Sequence, residues 1–322
     1  MFKWKKLGKV FDPLSQEKKN WMEIYAQSPN IIIFDDYVRV YFSSRAKADE
    51  NGQFVSRLGF IDLDKKNLFN ILNISENPIL KLGERGTFDE FGTYPVSVIK
   101  DDDEIKAYYA GWTRCESVPF NAAIGFAKSY DNGNSFKKIG KGPVLSYSYD
   151  EPFVLGSPRI KKFNGKYYLW YSAGTKWKET DTTPQPIYKI RLAISSDGIN
   201  WTKQGKNIIE NILEEDECQA SAEVFYYENK YHMFFSYRYN LGYNEKGRGY
   251  KIGYAYSDDL VIWTRDDSQV GIDISEEGWD DESVSYPSIF ELNNKVYMLY
   301  QGNGIGKNGF GIAELESYKG KI

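Results

Sequence analysis

Histidine and cysteine are scarce in this 322-residue sequence, which has one histidine, His232, and two cysteines, Cys115 and Cys218. Two cysteines cannot build a disulfide framework, and their small number favours a reducing compartment. One histidine and two scattered cysteines also argue against a zinc site and against a Ser-His-Asp triad. We therefore expect no metal and no cofactor. His232 stands in the middle of a predicted strand, where a packed side chain is the simpler interpretation.

Long apolar runs and an excess of one charge are missing as well. The first seven residues contain no apolar core of a signal peptide, and no window approaches the roughly 20 apolar residues of a membrane span. The formal net charge is -4, with basic and acidic residues mixed along the chain, so no basic stripe indicates nucleic-acid binding. These absences predict a cytoplasmic protein with no membrane span and no nucleic-acid partner.

The sequence is rich instead in β-strand signals and in aromatic residues, which make up 16% of it. Five segments share one plan, in which a β-run, a polar turn and a second β-run follow one another. The aligned positions are 29, 95, 158, 223 and 287, so the intervals between them are 66, 63, 65 and 64 residues. So regular a period over the whole chain indicates a repeat architecture.

The ends of the sequence indicate how the repeats close into a ring. The turns inside the repeats contain Asn, Asp and Gly, which tolerate positive φ and are typical of hairpins. The fifth repeat ends after its third strand, whereas residues 4–9 are similar to the fourth-strand stretch 136–141. The N-terminus would then complete the last repeat and remove an exposed sheet edge. We predict an all-β fold, a five-bladed β-propeller in one domain over residues 1–322, with blades beginning near 23, 89, 151, 217 and 281.

An acidic residue precedes the first strand of every repeat. The position six residues before the aligned one is acidic in four repeats. In the third repeat, the acid lies seven residues before the aligned position. These acids are Glu23, Asp89, Glu151, Glu217 and Asp281. Residues that enter the innermost strand of a propeller blade lie at the mouth of the central channel. The pattern therefore predicts a cluster of carboxylates around a central pocket.

Converging carboxylates suit the chemistry of glycosidic bonds. Like charges in one pocket raise the pKa of at least one carboxyl group, which makes a general acid beside an ionised base or nucleophile. We predict Glu217 as the general acid, Glu23 as the base or nucleophile, and Asp89 or Glu151 in pKa tuning or hydroxyl binding. The structural alternative is that each acid bonds a loop backbone or pairs with an arginine.

Aromatic, arginine and polar side chains near the acids would complete a sugar site. Aromatic rings stack on sugars, and arginines neutralise acids or bind an anionic group. Tyr243 is a further candidate for such stacking. The predicted substrate-binding residues are Tyr25, Gln27, Arg45, Glu90, Trp112, Arg114, Trp177, Gln219, Arg238, Trp279 and Asp281. The glycine-rich stretch 302–307 has no helix pattern after it, so we expect a loop near the channel mouth rather than a phosphate loop.

With these repeats, the sequence resembles over its full length the five-bladed propeller superfamily of arabinanases, β-xylosidases, invertases, levansucrases and mannosyl-oligosaccharide phosphorylases. The stretches 23–29, 216–219 and 253–260 are more closely similar to bacterial proteins labelled glycosidase or glycosylase, a group that resembles proteins of surface-polysaccharide gene clusters. The resemblance implies a carbohydrate or glycoconjugate substrate.

Two features depart from the pattern of that superfamily. Arabinanase- and invertase-type enzymes have a catalytic aspartate directly before the first-blade proline, where this sequence has Ser28; the third-blade equivalent is Ser157. The pair Glu217-Cys218 resembles the Glu-Cys pair of invertases, but Gln219 follows it where those enzymes have proline. The sequence thus predicts a glycosidase-like enzyme, a hydrolase or a transferase or phosphorylase relative. The alternative is a non-catalytic carbohydrate-binding or glycan-assembly propeller, which the missing Asp-Pro pairs favour.

Overall fold

The computed structural model describes residues 1–243, 245 and 247–319. In this part of the chain, the strands form five four-stranded antiparallel sheets. Strands that follow one another in the chain are neighbours in the sheet, as in the blades of a propeller. The predicted five-bladed β-propeller is therefore confirmed.

The strand bounds follow the period of the sequence. The N-terminal strand is β1 (Phe2–Phe11). Blade 1 contains β2 (Ile24–Ile33), β3 (Tyr37–Arg45), β4 (Ser56–Asp64) and β5 (Asn67–Ile74). Blade 2 contains β6 (Thr93–Asp101), β7 (Glu104–Thr113), β8 (Asn121–Ser129) and β9 (Lys137–Lys138). Blade 3 contains β10 (Leu155–Phe163), β11 (Lys166–Lys178), β12 (Gln185–Ser195) and β13 (Thr202–Lys203).

The last two blades continue the series. Blade 4 contains β14 (Cys218–Tyr227), β15 (Lys230–Arg238), β16 (Lys251–Ser257) and β17 (Thr264–Arg265). Blade 5 contains β18 (Ser285–Leu292), β19 (Lys295–Gln301) and β20 (Phe310–Tyr318) together with β1. Within the described part of the chain, helical structure is limited to 3-10 turns at Pro13–Ser15 and Asp267–Gln269 and to the turn α1 (Asn303–Gly306). Among the described residues, no helix is long and apolar enough to cross a membrane.

The ring closes where β1 pairs antiparallel with β20, from Phe2 opposite Tyr318 to Phe11 opposite Phe310. The prediction that the N-terminal strand completes the last blade is confirmed. Phe2 is only 1% exposed. Its ring stacks on Tyr318 at 4.3 Å and packs edge-on against Phe234 of blade 4 at 5.0 Å. Burying one such side chain contributes about 2–3 kcal/mol, so β1 is held by packing as well as by backbone hydrogen bonds.

The turns before the fourth strands attach each blade to its neighbour. In blade 3, Asp197 accepts hydrogen bonds from the backbone N–H groups of Ile199 and Asn200, both at 2.8 Å. The next residue, Trp201, packs edge-on against Tyr108 of blade 2 at 5.7 Å, and Tyr108 donates to the Gly198 carbonyl at 2.8 Å. Asp197 therefore has a structural role, since it holds the turn that packs blade 3 against blade 2.

A β-bulge interrupts the first strand of every blade at the same place. In blade 1, for example, Gln27 and Asn30 are three positions apart on β2, while their partners Ser43 and Tyr41 on β3 are two positions apart. The first bulge residues are Ser28, Tyr94, Ser157, Ser221 and Tyr286, and the second are Pro29, Pro95, Pro158, Ala222 and Pro287. The register thus aligns Ala222, and not Glu223, with the prolines. Our sequence alignment of blade 4 was wrong by one residue.

Candidate active site

A cavity of about 250 Å³ lies where the first strands of the blades meet, and residues of all five blades line it. We call it the axial cavity. Its aromatic lining residues are Tyr25, Tyr94, Trp112, Phe120, Tyr188, Tyr243, Tyr250 and Tyr286. The bulges place three of the first-strand side chains here, because an extra residue turns each strand as it reaches the axis.

Five predicted substrate-binding residues line the axial cavity. They are Tyr25, Gln27, Arg45, Trp112 and Arg238. The glycine-rich loop after β19 also reaches the cavity through Gly304 and Ile305, in agreement with the expected position near the channel mouth. The Gln27 side-chain amide donates to the Ile305 carbonyl at 2.6 Å, so the loop of blade 5 is fixed against blade 1.

Three other predicted residues serve loops near the blade ends and do not line the axial cavity. Glu90 accepts a hydrogen bond from the Gly86 N–H at 2.7 Å. Asp281 accepts one from the Asn303 side chain at 2.6 Å. Trp279 stacks on Tyr300 with ring centroids 5.3 Å apart.

An outer recess of about 230 Å³ adjoins the axial cavity between blades 1 and 2, and shares Arg45, Trp112 and Phe120 with it. Its other side chains include Phe54, Phe91 and Arg114. Arg114, another predicted residue, pairs with Asp49 at 2.7 Å here. Trp177 packs edge-on against the shared Phe120 at 5.4 Å without lining either space. The two spaces together make a groove that runs outward from the axis.

The predicted acid Glu217 is fully buried and fully engaged inside blade 4. Its carboxylate accepts hydrogen bonds from the backbone N–H groups of Ile212 and Leu213, both at 3.0 Å. The predicted substrate residue Gln219 donates to it at 2.9 Å, and Arg265 of the fourth strand pairs with it at 2.6 Å. Neither Glu217 nor Gln219 lines the axial cavity.

Asp89 and Glu151 have the same surroundings in blades 2 and 3, and both are 1% exposed. Asp89 accepts a hydrogen bond from the second-strand Tyr109 at 2.8 Å and pairs with the fourth-strand Lys138 at 2.5 Å. Glu151 likewise meets the Tyr171 hydroxyl at 2.8 Å, Lys203 at 2.6 Å and Arg191 at 3.0 Å. We call this arrangement of an acid, a second-strand tyrosine and a fourth-strand cation the blade clamp.

In blade 5, the clamp acid is Asp280 rather than the predicted Asp281. Asp280 accepts a hydrogen bond from the Tyr300 hydroxyl at 2.9 Å and pairs with Lys6 of β1 at 2.7 Å. Glu23 of blade 1 is partly buried, and its backbone N–H donates to the Arg45 carbonyl at 3.0 Å.

None of the five predicted acids lines the axial cavity, so the structure does not bring them together there. The clamp acids point away from the axis because their partner cations lie on the outermost strands. Asp89, Glu151 and Glu217 thus have a structural role, and Glu217 has the loop backbone and the arginine as partners that the structural alternative named. The catalytic roles assigned to Glu217, Glu23, Asp89 and Glu151 stay predictions.

The charge of the axial cavity comes from arginines. Arg238 is 5% exposed, and its guanidinium donates to the carbonyls of Tyr239 and Asn240 at 2.8 and 2.9 Å and to the Tyr188 hydroxyl at 3.1 Å. The Tyr243 ring lies 3.9 Å from its central carbon. These partners are all uncharged, and the Arg238 Nε–H has no partner among the described residues.

Arg45, the second arginine of the cavity, also has uncharged neighbours. Its Nε donates to the Ser56 hydroxyl at 3.1 Å, and its guanidinium carbon lies 4.6 Å from the Tyr25 ring. No Asp or Glu of the described residues lies within 4.0 Å of either guanidinium, and none lines the cavity. The axial cavity therefore has a net positive charge.

A third arginine, Arg159, lies on the axis next to the bulges and is 1% exposed. It donates to the Ser221 hydroxyl at 3.0 and 2.9 Å and to the Pro29 carbonyl at 3.3 Å. Glu223 is 3.8 Å away, but pairs more closely with Lys161 at 2.5 Å. One carboxylate is thus shared by two cations, and the axis keeps its positive charge.

The buried phenols of the cavity do not offset this charge. Burial raises the pKa of Tyr94 to about 12, and burial raises the pKa values of Tyr188, Tyr250 and Tyr286 well above their ordinary value. All four hydroxyls are therefore protonated at neutral pH and can act as hydrogen-bond donors. Across the described residues, no three His, Cys, Asp or Glu side chains come together to hold a metal ion.

Several cavity residues were not among the predicted ones. Tyr94, Ser157 and Tyr286 each stand directly before a proline at an aligned position, and the axial Arg159, which does not line the cavity, directly follows one. These positions could have been found from the repeat, since the residues around a bulge in the innermost strand lie closest to the axis. Tyr188 lies on the third strand β12 and Tyr250 directly precedes the third strand β16, and neither position had such a signal.

Comparison with known proteins places the chain in a family. It is 33% identical over 316 residues, 98% of this chain and 99% of the other, to the uncharacterized protein Rv1502 of Mycobacterium tuberculosis. The chain belongs to the same family as this mycobacterial protein. No family model matches the sequence.

Two enzymes of a Thermoanaerobacter species show partial similarity. A 1,2-beta-oligomannan phosphorylase is 25% identical over 201 residues, 61% of this chain and 60% of that protein. A beta-1,2-mannobiose phosphorylase is 36% identical over 98 residues, 28% of this chain and 32% of that protein. Both act on mannosides according to their names.

Solved structures share the fold at low identity. A glycoside hydrolase superposes with a TM-score of 0.73 at 16% identity, covering 100% of this chain and 94% of the other. A structure described with the GH130 family of mannoside phosphorylases and hydrolases has a TM-score of 0.68 at 16% identity, covering 98% and 90%. This likeness shows that the chain has the five-bladed propeller fold of glycoside hydrolases and phosphorylases, as the sequence resemblance implied.

Proposed function

We propose that this chain is a carbohydrate-active enzyme that acts on a glycosidic bond and binds its glycan in the axial cavity. The observation that carries the proposal is the lining of that cavity, where aromatic faces and hydroxyl groups from all five blades meet. Aromatic rings such as Trp112 present a flat apolar face for a sugar ring. Hydroxyls such as those of Ser157, Tyr94 and Tyr286 would hydrogen-bond sugar hydroxyls around it.

The reaction class is supported by the proteins to which the chain is similar. Two partial relatives are named as phosphorylases of β-1,2-linked mannosides, and fold neighbours are named as glycoside hydrolases. Both reactions break a glycosidic bond. We therefore propose a β-linked mannoside as the first substrate class to examine.

The lining favours glycosyl transfer over hydrolysis by two carboxylates. Such hydrolysis needs an acid and a base or nucleophile about 5–9.5 Å apart around the scissile bond. The described residues that line the cavity include no Asp or Glu. They offer protonated phenols and guanidinium groups, which stabilise negative charge on an attacking or leaving oxygen. Transfer of a glycosyl group to an anionic acceptor would use this stabilisation directly.

A second candidate is a propeller that binds glycans without cleaving them. The same missing cavity carboxylates favour this candidate, since binding a saccharide needs the aromatic faces and hydroxyls alone. In this case, Tyr286 and Trp112 would set affinity but no bond would break.

The decisive experiment incubates the protein with a panel of mannosides and other glycans, with and without inorganic phosphate, and detects products by mass spectrometry. The variants Tyr286→Phe and Glu217→Gln are measured in parallel, with folding checked by circular dichroism. We expect products that Tyr286→Phe strongly reduces and that Glu217→Gln retains. Loss of turnover in folded Glu217→Gln alone would instead support the predicted general acid. Binding without product would establish the second candidate, and neither binding nor product would refute both.

A further inference from the structure

We infer that the axial cavity binds a negatively charged group of its ligand, a carboxylate or a phosphate, through Arg238 and Arg45. The inference rests on the proposed function, because it concerns the same cavity, and it adds the chemical class of the substrate. An acidic sugar and a phosphate group are the two sources of such a charge.

Arg238 is a buried cation without a carboxylate partner among the described residues, and such burial costs free energy. Taking a guanidinium out of water is expensive unless an opposite charge compensates it. Arg238 is 5% exposed, yet its partners are two carbonyls and one hydroxyl, at 2.8 to 3.1 Å. Its Nε–H has no partner in the described chain. By contrast, the buried Arg39 has the carboxylate of Asp62 at 2.7 Å.

The arginines without a carboxylate partner lie in the wall of the axial cavity. Arg238 and Arg45 both line it, and neither has a carboxylate within 4.0 Å among the described residues. Arginines that only supported the fold would be expected in pairs with acids, as in the blade clamps. An arginine left uncompensated at a cavity wall is suited to a planar anion, which it binds with two parallel hydrogen bonds.

No carboxylate of the described residues lines the axial cavity itself; Glu245 and Glu282 line an adjoining recess that shares Tyr243 and Tyr250 with it. The phenols of Tyr94, Tyr188, Tyr250 and Tyr286 remain protonated, because burial raises their pKa values. Arg159 adds a further cation on the axis, and its neighbour Glu223 is already paired with Lys161. An anionic ligand would therefore meet a positive field in a partly dry site, where charge interactions are strong.

The test compares pairs of ligands in which one member carries an anionic group that the other lacks. Calorimetry measures binding of glucuronic acid against glucose, of mannose 1-phosphate against mannose, and of inorganic phosphate alone. We expect an anionic member to bind about tenfold or more tightly than its neutral match, with the difference falling at high salt. Binding of glucuronic acid but not of either phosphate identifies an acidic sugar. Binding of inorganic phosphate and mannose 1-phosphate identifies a phosphate group.

Variants assign the effect to the arginines. Arg45→Gln and Arg238→Gln should each remove most of the preference for the anion, and Arg238→Lys keeps the charge in case Arg238→Gln does not fold. The exposed Arg85, which has no contact with the cavity, gives the control Arg85→Gln and should change nothing. Equal binding of charged and neutral ligands, binding unaffected by both variants, or no binding of any anion would each overturn the inference.

The outcomes separate this inference from the proposed function. Turnover of a neutral glycan that neither phosphate nor Arg45→Gln affects would leave the proposed function standing and remove the anion site. Tight, Arg45-dependent anion binding in a protein that cleaves no glycan would do the reverse.

Discussion

The buried ion pair between Glu217 and Arg265 leads to a quantitative prediction about stability. Replacing Glu217 with Gln keeps the shape of the side chain but removes its charge. The Gln oxygen can still accept from the backbone N–H groups of Ile212 and Leu213, which the carboxylate binds at 3.0 Å. The ion pair with Arg265 at 2.6 Å is lost, and the new amide NH₂ faces the donors of Arg265 or Gln219.

The size of the effect follows from these contacts. Breaking a buried ion pair costs about 3–5 kcal/mol when one cation is left alone. Arg265 keeps Asp267 at 2.9 Å, so the remaining charge is still compensated. We therefore expect the free energy of unfolding to fall by about 2 kcal/mol, the range of one hydrogen bond to a charged group. This loss is a substantial part of the roughly 5–15 kcal/mol that is typical of the free energy of unfolding of a whole domain.

Urea unfolding followed by tryptophan fluorescence measures the difference, with Glu215→Gln as the matched control. Glu215 lies two residues away and is exposed, so its replacement should change the free energy of unfolding by less than about 0.5 kcal/mol. If Glu217→Gln is as stable as Glu215→Gln but inactive on a glycan that the wild type cleaves, the structural role of Glu217 is refuted. The general acid predicted from the sequence would then be supported.

Three further predictions concern closure, protonation and the outer recess. Phe2→Ala should lower the free energy of unfolding by about 3 kcal/mol, because Phe2 is buried between blades 4 and 5; an unchanged urea midpoint would show that β1 does not close the ring. Burial lowers the pKa of His232 below 6.5, so the unfolded chain binds its proton more readily, and stability should fall as pH drops below about 6.5. The chain has no other histidine, so His232→Gln should make the urea midpoint less dependent on pH between 7.5 and 5.5. An unchanged pH dependence in this variant would show that His232 is not responsible. Phe54→Ala should weaken binding of an oligosaccharide about fivefold, roughly 1 kcal/mol, and leave a monosaccharide unaffected, since Phe54 lines only the outer recess; equal effects on both ligands would exclude an extended site.

Part of the candidate site could be predicted from local sequence. Tyr25, Gln27, Arg45, Trp112 and Arg238 lie close to the ends of first and second strands, so a repeat that places those ends near the channel also places these residues. The loop with Gly304 was predictable for the same reason.

The orientation of the five predicted acids could not be predicted in this way. Their spacing was visible in the sequence, but spacing along a chain does not give the direction of a side chain. The partner of Asp89 is Lys138 and that of Glu151 is Lys203, each about 50 residues further on in the outermost strand. A carboxylate between the channel and such a lysine turns toward the lysine, because burying it without a counter-charge would be costly.

The sequence by itself determined the five blades and the closure by the N-terminal strand. Those features depend on turn chemistry, strand alternation and an even period, all of which are local and repeated five times. Only the tertiary structure decided which side chains face the axis. That outcome depends on a one-residue bulge in each first strand and on cations contributed by distant strands. Arg45 and Arg238 of the axial cavity and Arg159 on the axis come from three different blades and lie near one another only because the ring is closed.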